Sequence, residues 1–300
     1  MSMNTVSTRR PTSEAEIKAL LLAYRKENWA GIQPPELHEK IADDLLKEDG
    51  ETILAHFARV SSVGRNATIL DVGSGVGSFV VACRRRGLRA FGVEPDRIGH
   101  GSNLTAIQIA NRRLEEQVFA CAVGENLPFA DRSFDLVTMN QVLEHVSDQM
   151  AVLQEAVRVV KEHGVVYIAC PNYLRFYEPH YKIFWLPMLP KWLGRLYLRL
   201  RGRDPVLLGQ LTYTTNARLR GLCRRLGDGY TFVDLNSEEF LKKCDNASFA
   251  RSWVRAIALM MRIPLIGIVL RRLALQVARV REGGCVVAVI RGSRLVGDSC

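Results

Sequence analysis

The chain has 300 residues, 48% of them hydrophobic and 24% charged, enough apolar material for one large domain or two small ones. Its net charge of +10 is unevenly spread: residues 1–170 hold 19 Lys/Arg against 22 Asp/Glu, while residues 171–300 hold 22 against 9. The C-terminal part therefore calls for an anionic partner, be it lipid headgroups, a nucleic acid or an acidic substrate, with a plain solvated basic face as the alternative. Seven scattered cysteines (Cys83, Cys121, Cys170, Cys223, Cys244, Cys285 and Cys300) form no CxxC pair. Several lie in apolar runs, which argues against a disulfide or zinc framework and for a reducing, cytoplasmic compartment.

In chain order, residues 1–12 are polar and read as a disordered leader rather than a signal peptide. Ser13 with Glu16 three residues later is a capping box, and a helical pattern runs from it to Trp29. Further helical patterns at 35–47 and 51–60 are expected either to cover a ligand cleft or to pad a sheet. From residue 67 strand and helix patterns alternate, which is the signature of a parallel sheet covered on both faces. Strands are expected at 67–72, 89–93, 118–122, 134–139 and 165–170, with helices at 77–86, 97–115 and 147–161. After Pro171 comes a long insertion, then a helix at 216–226, a strand at 230–235, an apolar and basic helical stretch at 238–280, and a last strand at 285–290. The apolar run 256–270 is interrupted by Arg262 and Pro264 and falls short of the ~20 residues a membrane span needs.

The first strand stops in the turn Asp71-Val72-Gly73-Ser74-Gly75-Val76-Gly77. Glycines at alternate positions supply positive φ and let a ligand come close to the backbone at the carboxyl end of a strand. The spacing is GxGxG rather than the GxGxxG of dinucleotide sites. A carboxylate at Asp71 would also repel a pyrophosphate, so a cationic, phosphate-free nucleotide-like ligand is expected. Glu94 ends the second strand 23 residues after Asp71, where an acid accepts hydrogen bonds from a ribose diol.

Four stretches together resemble the class I S-adenosylmethionine-dependent methyltransferases, and within them the small-molecule group that includes the ubiquinone and menaquinone biosynthesis enzymes. They are the Asp71–Gly77 turn, Glu94, the run Gly124-Glu125-Asn126-Leu127-Pro128-Phe129 leading through Asp131 to Ser133-Phe134-Asp135-Leu136-Val137, and Asn140-Gln141-Val142-Leu143-Glu144-His145-Val146. The likeness extends to about residue 172. It implies an α/β, Rossmann-like sheet of seven strands, the last antiparallel, with helices on both faces. It further implies S-adenosyl-L-methionine as cofactor, with Asp71, Gly73, Ser74, Gly75 and Gly77 facing its methionine part and Glu94 its ribose. Val123, Gly124 and Glu125 would border the adenine, and Asn140 and Gln141 the sulfonium. Many members of the family carry Asp where Val123 stands, so adenine recognition here shifts toward backbone groups and Glu125.

The methyl group arrives already activated, so the protein must chiefly align a nucleophile and exclude water. Where that nucleophile carries a proton, His145 is the expected base, with a packing role as the alternative. Glu144 and His145 also suit a divalent metal but lack a third partner in the sequence, and no metal is assigned. The fourth strand ends in Met139-Asn140-Gln141-Val142 rather than the Asn/Asp-Pro-Pro-aromatic motif of amino-methylating enzymes, which makes a nucleic-acid base an unlikely target.

The insertion 171–209 interleaves Trp and Tyr with Lys and Arg, the composition of a segment lying in a membrane interface. Its place after the fifth strand is similar to that of the membrane-contacting insertion of quinone O-methyltransferases. A substrate lid, a dimer contact and a stacking surface for nucleic acid are the alternatives. His180 and Tyr181 within it are expected to touch substrate. The arrangement expected is a leader and helical cover over 1–60 and a methyltransferase domain over 61–300, with 171–209 and 238–280 as insertions. The function expected is methyl transfer, chiefly to oxygen, onto a small amphipathic or lipid-like acceptor such as a quinone precursor, with a possible anionic membrane surface as partner. An inactive cofactor-binding scaffold subunit and an RNA methyltransferase are the alternatives.

Overall fold

A computed structural model describes residues 13–47, 50–61, 64, 66–95, 106–114, 116–235, 259–260, 263, 267–268 and 284–292. The expectations for residues 1–12, 97–105 and most of 238–280 lie outside this set.

Three helices precede the sheet: α1 (Glu14–Asn28), α2 (Glu36–Leu46) and α3 (Glu51–Val60). The capping box at Ser13 is formed in both directions: Ser13 Oγ accepts from Glu16 N–H, and the Glu16 carboxylate accepts from Ser13 N–H at 2.7 Å. Two free N–H groups at the helix start are thereby satisfied.

The sheet then alternates with helices: β1 (Thr68–Val72), α4 (Ser78–Arg85), β2 (Arg89–Glu94), α5 (Ala106–Leu114), β3 (Phe119–Cys121), β4 (Phe134–Asn140), α6 (Gln149–Val159) and β5 (Val160–Pro171). An insertion of β6 (Tyr177–Glu178), β7 (Ile183–Phe184), α7 (Lys191–Leu200) and α8 (Val206–Gln210) follows, and α9 (Asn216–Arg225), β8 (Tyr230–Asp234) and β9 (Gly284–Arg291) close the described chain. The strand order is β3-β2-β1-β4-β5-β9-β8. All neighbours are parallel except at β9, which runs antiparallel to both β5 and β8. This is the Rossmann-like seven-stranded sheet expected from the sequence. The chain winds outward from β1 to β3 and returns to β4 on the other side of β1. A crevice therefore opens at the carboxyl ends of β1 and β4, where ligands bind in such folds.

Residues alternate across a strand, so β1 and β4 feed two separate cores. Leu70, Val72, Val137 and Met139 pack with Leu153 of α6 and Leu219 of α9. On the other face, Ile69, Leu136 and Val165 pack with Phe57 of α3 and Val80 and Cys83 of α4. So α3 pads the sheet. In contrast, α1 and α2 set Ile17, Leu21 and Ala42 against Val76 of the glycine turn and Ile109 of α5. Buried Arg113 of α5 ties these parts together, donating to the Val76 carbonyl at 2.9 Å and the Leu45 carbonyl at 3.1 Å.

One boundary differs from the expectation. The sequence reads as helix to residue 161, yet α6 ends at Val159 and β5 begins at Val160. The Ser133 and Arg132 amides bond the Val159 and Arg158 carbonyls and draw the β-branched pair into an early bridge with Phe134. A register shift between Phe134 and Leu136 follows, which is a bulge. Gly164 is required there because an added Cβ would meet the Asp135 carbonyl at 3.0 Å.

Among the described residues no helix is long and apolar enough to cross a membrane. The insertion carries its own small core, in which Tyr181, Trp185, Leu198, Leu207 and Leu208 surround Ile32 from the N-terminal segment.

Gly77 holds φ at +78°, and an added Cβ would meet Phe119 at 2.7 Å and Ala110 at 2.8 Å. Gly77→Ala should cost about 2–5 kcal/mol, combining left-handed strain with overpacking. Urea denaturation checks this, and a variant within about 0.5 kcal/mol of the parent, the range of an ordinary surface change, would contradict the packing described.

Candidate active site

The apolar strand β1 delivers its carboxyl end to the turn with Gly73, Gly75 and Gly77 all at positive φ. The three glycines have different reasons to be there. An added Cβ at Gly73 would strike Val142 at 2.5 Å and one at Gly77 would strike Phe119, whereas one at Gly75 has nothing within 4 Å. Two glycines make room for the protein itself and the middle one opens the turn. Ser74 N–H donates to the Val93 carbonyl at 2.9 Å, holding the turn against β2. Its buried hydroxyl has no partner among the described residues.

Asp71 is buried on the same sheet face as Ile69. Its carboxyl accepts from Thr138 Oγ1 at 2.5 Å, joining β1 to β4. Burial raises its pKa to about 7, opposed by the Thr138 bond. It thus braces the strands from within rather than facing the mouth of the turn.

Glu94 completes the turn. It is 4% exposed, and its carboxylate accepts from Gly75 N–H at 2.9 Å. Burial lifts its pKa to about 7, with the Gly75 N–H pulling the other way. Tyr24 of α1 stands near enough that burial, together with the Glu94 charge, raises its phenol to about 12. The N-terminal cover therefore reaches the acid end of the turn.

Around this pair lie the other expected residues. Val123 is 47% exposed. Gly124 and Glu125 are partly buried, and Glu125 accepts from Ser147 Oγ at 3.4 Å. Asn140, which ends β4, and Gln141, which follows it, are exposed. Gln141 holds φ at +60° while its N–H donates to the Ala169 carbonyl at 2.7 Å. Left-handed backbone is uncommon outside glycine and tends to sit at functional positions. Nothing in the residue type announced it.

The insertion brings His180 to His145. Their Nε2 atoms are 3.2 Å apart, with ring planes at 89°. His180 is fixed from behind: its Nδ1 is 2.7 Å from Glu178 Oε1, and the other Glu178 oxygen accepts from Tyr181 N–H at 2.6 Å. Trp29 stacks on the His180 ring, Gln33 donates to the His180 carbonyl at 2.5 Å, and Arg25 lies over Trp29. Beside the two histidines, Glu144 is fully buried, and neither of its carboxyl oxygens has a hydrogen-bond partner among the described residues. Burial raises its pKa to about 7. His145 moves the other way, to about 4, through burial and then the neighbouring His180, so its ring is neutral at physiological pH.

Tyr181 does not join this group. It is fully buried in the insertion core, where its hydroxyl accepts from Leu208 N–H at 3.1 Å. Glu178, Gln33, Trp29 and Tyr24, by contrast, went unread in the sequence: Gln33 and Trp29 meet His180 across about 150 residues of chain, Tyr24 approaches Glu94 from another element, and Glu178 matters only because its neighbour His180 reaches the site.

These features suit a particular ligand. An open positive-φ glycine, a nearly buried carboxylate with bonding capacity for a diol, an unpartnered buried hydroxyl and no cationic phosphate cradle among the turn residues fit the adenosyl-sulfonium of S-adenosylmethionine. Residues 70–168 match the family model described as a methyltransferase domain. The chain is 32% identical over 181 residues to an uncharacterized methyltransferase of Mycobacterium sp. (strain KMS), covering 60% of this chain and 66% of that one. It is 31% identical over 180 residues, with the same shares, to one of Mycobacterium tuberculosis (strain ATCC 25177 / H37Ra). The chain thus spans 66% of the length of these relatives. Among solved structures, the YcgJ protein from Bacillus subtilis overlays 82% of this chain and 100% of its own at a TM-score of 0.47 and 16% identity. The family match on the turn and the strands that frame it, together with these relatives, supports a class I S-adenosylmethionine-dependent methyltransferase.

Proposed function

We propose that this chain transfers a methyl group from S-adenosylmethionine to a hydroxyl oxygen of a small amphipathic or lipid-like acceptor presented at an anionic membrane surface. The observation that carries the reading is the Glu94 carboxylate bonded to Gly75 N–H in an open turn. When bound, the cofactor supplies a methyl group already activated by a positive sulfur. Glu94 and the turn hold the ribose and fix the donor's orientation, and Asn140 and Gln141 border the reacting end. His145 and His180 line the acceptor side under a roof formed by Trp29 and the insertion, which limits water there.

The acceptor class is supported by the insertion's surface. Along α7, Trp192, Leu196 and Leu200 are 69%, 51% and 78% exposed. They recur every four residues and so form one stripe. Phe184, Leu186 and Met188, in the segment that leads into α7, are exposed as well. Residues 171–209 carry seven Lys/Arg against two Asp/Glu, and Glu178 of those two is buried. An apolar stripe flanked by Arg195 and Arg199 suits the boundary between headgroups and acyl chains.

Three tests follow. Because the carboxylate form of Glu94 accepts the ribose hydroxyls and its pKa stands near 7, cofactor affinity should fall as pH drops through 7, by up to about tenfold per pH unit. Glu94→Gln should bind at least about tenfold more weakly at pH 8, with little pH dependence. Calorimetry reads both, and an unchanged affinity would remove Glu94 from the site.

Replacing Trp192, Leu196 and Leu200 by Ser should lower co-sedimentation with phosphatidylserine vesicles at low salt at least about fivefold. Equal sedimentation of parent and variant would detach the insertion from membranes. The acceptor itself is sought by incubating the protein with deuterated-methyl cofactor and a lipid and metabolite extract. The reading expects a labelled methyl ether by mass spectrometry. Binding without label in any pool would instead make the chain a cofactor-holding scaffold subunit.

A further inference from the structure

The three groups at the acceptor side have a property that methyl transfer alone does not demand. Glu144 Oε1 lies 3.9 Å from His180 Nε2, His180 Nε2 lies 3.2 Å from His145 Nε2, and one donor atom from each residue falls within 4.8 Å of the others. With the Glu178 carboxylate accepting from His180 Nδ1–H, the His180 Nε2 lone pair is directed at His145. Something positive must stand between two imidazole nitrogens so close, either a proton or a cation. Both nitrogens bonded to one ion at about 2.0–2.1 Å would stand about this far apart, and a carboxylate oxygen on the same ion would fall within about 4 Å of each.

Glu144 decides between the two. A proton shared by the histidines leaves its nearer oxygen 3.9 Å from His180 Nε2, beyond hydrogen-bond reach, and that carboxyl is fully buried with neither oxygen hydrogen-bonded among the described residues. Buried polar groups in native structures are otherwise satisfied, so an orphaned carboxylate aimed at two imidazoles marks a missing ligand. We propose that Glu144, His145 and His180 hold a divalent transition-metal ion, of the borderline class to which Zn2+ belongs. Two imidazoles and one carboxylate are a donor set for that class and leave coordination positions open. Glu178 is the positioning residue: a carboxylate on the far nitrogen of a ligating histidine fixes its tautomer and ring. Trp29 and Gln33 fix His180 from the N-terminal side, so the site forms only when helical cover, insertion and the loop after β4 come together.

The open positions suit an acceptor's oxygen, which an ion would orient and make more acidic. That part rests on the methyl-transfer reading, whereas the ion site itself does not.

The test is Zn2+ titration of the full chain after chelator treatment, followed by calorimetry, with Co2+ absorption as a second readout. One ion per chain is expected. Glu144→Gln and His180→Ala should each weaken it at least about 100-fold, and Glu178→Gln about 10–100-fold with a shifted Co2+ spectrum. S-adenosylmethionine affinity of all three variants should stay within about threefold of the parent by calorimetry. Retained cofactor affinity separates loss of the ion from loss of the fold, and it separates this proposal from the cofactor reading. The proposal is overturned if the parent takes up no more Zn2+ than Glu144→Gln. It is equally overturned if a thiolate charge-transfer band places the Co2+ on a cysteine such as exposed Cys121.

Discussion

Everything that makes this chain a candidate enzyme depends on one constraint: a carboxylate must be held against an open glycine turn with bonding capacity to spare. Glu94 comes from β2 and Gly75 from the turn after β1, and the parallel pairing of those strands brings them to 2.9 Å. The register Val72 to Val93 sets Glu94 one residue past the last paired position of β1, level with the turn. Were the strands to slip by one residue, the acid would point to the opposite face of the sheet. The two cores that flank the sheet are therefore a condition of the site as well as of stability.

The same economy governs the glycines. Sequence reasoning gives all three the same two purposes, positive φ and close approach of a ligand; all three hold positive φ, and the geometry divides them on the second. Gly73 and Gly77 exist because Val142, Phe119 and Ala110 occupy the space a side chain would need, so they let the loop after β4, β3 and α5 close against the turn. Only Gly75 faces outward. Asp71 undergoes a similar change of meaning. It reads as a carboxylate at the mouth of the turn, yet it sits inside the sheet, bonded to Thr138.

The parts legible in the sequence were those with a local cause. The capping box at Ser13 and the abrupt stop of β1 in glycine are signals contained within a few residues, and strand–helix alternation predicts the parallel sheet. The sheet's antiparallel last strand came from family resemblance. What stayed hidden depends on distance along the chain. Glu144 and His145 are adjacent in sequence, but the histidine that faces them lies in an insertion 35 residues on, and Gln33, which steadies it, lies 147 residues before it. Neither pairing has a periodicity or motif. Tyr181 shows the converse: its neighbour His180 reaches the site, and a short hairpin sends the next side chain into the insertion's own core. Gln141 was marked by position, yet its left-handed backbone follows from the bond of its N–H to Ala169, which no residue type encodes.

The central claim is that the turn at residues 71–77 and the acid at Glu94 act together to bind S-adenosylmethionine. The most direct measurement is amide hydrogen exchange of the full chain with and without that cofactor. The account predicts slowed exchange in peptides covering residues 71–78 and 90–95, and no slowing when Glu94 is replaced by Ala. Protection confined to other segments, or protection that survives the loss of Glu94, would contradict it.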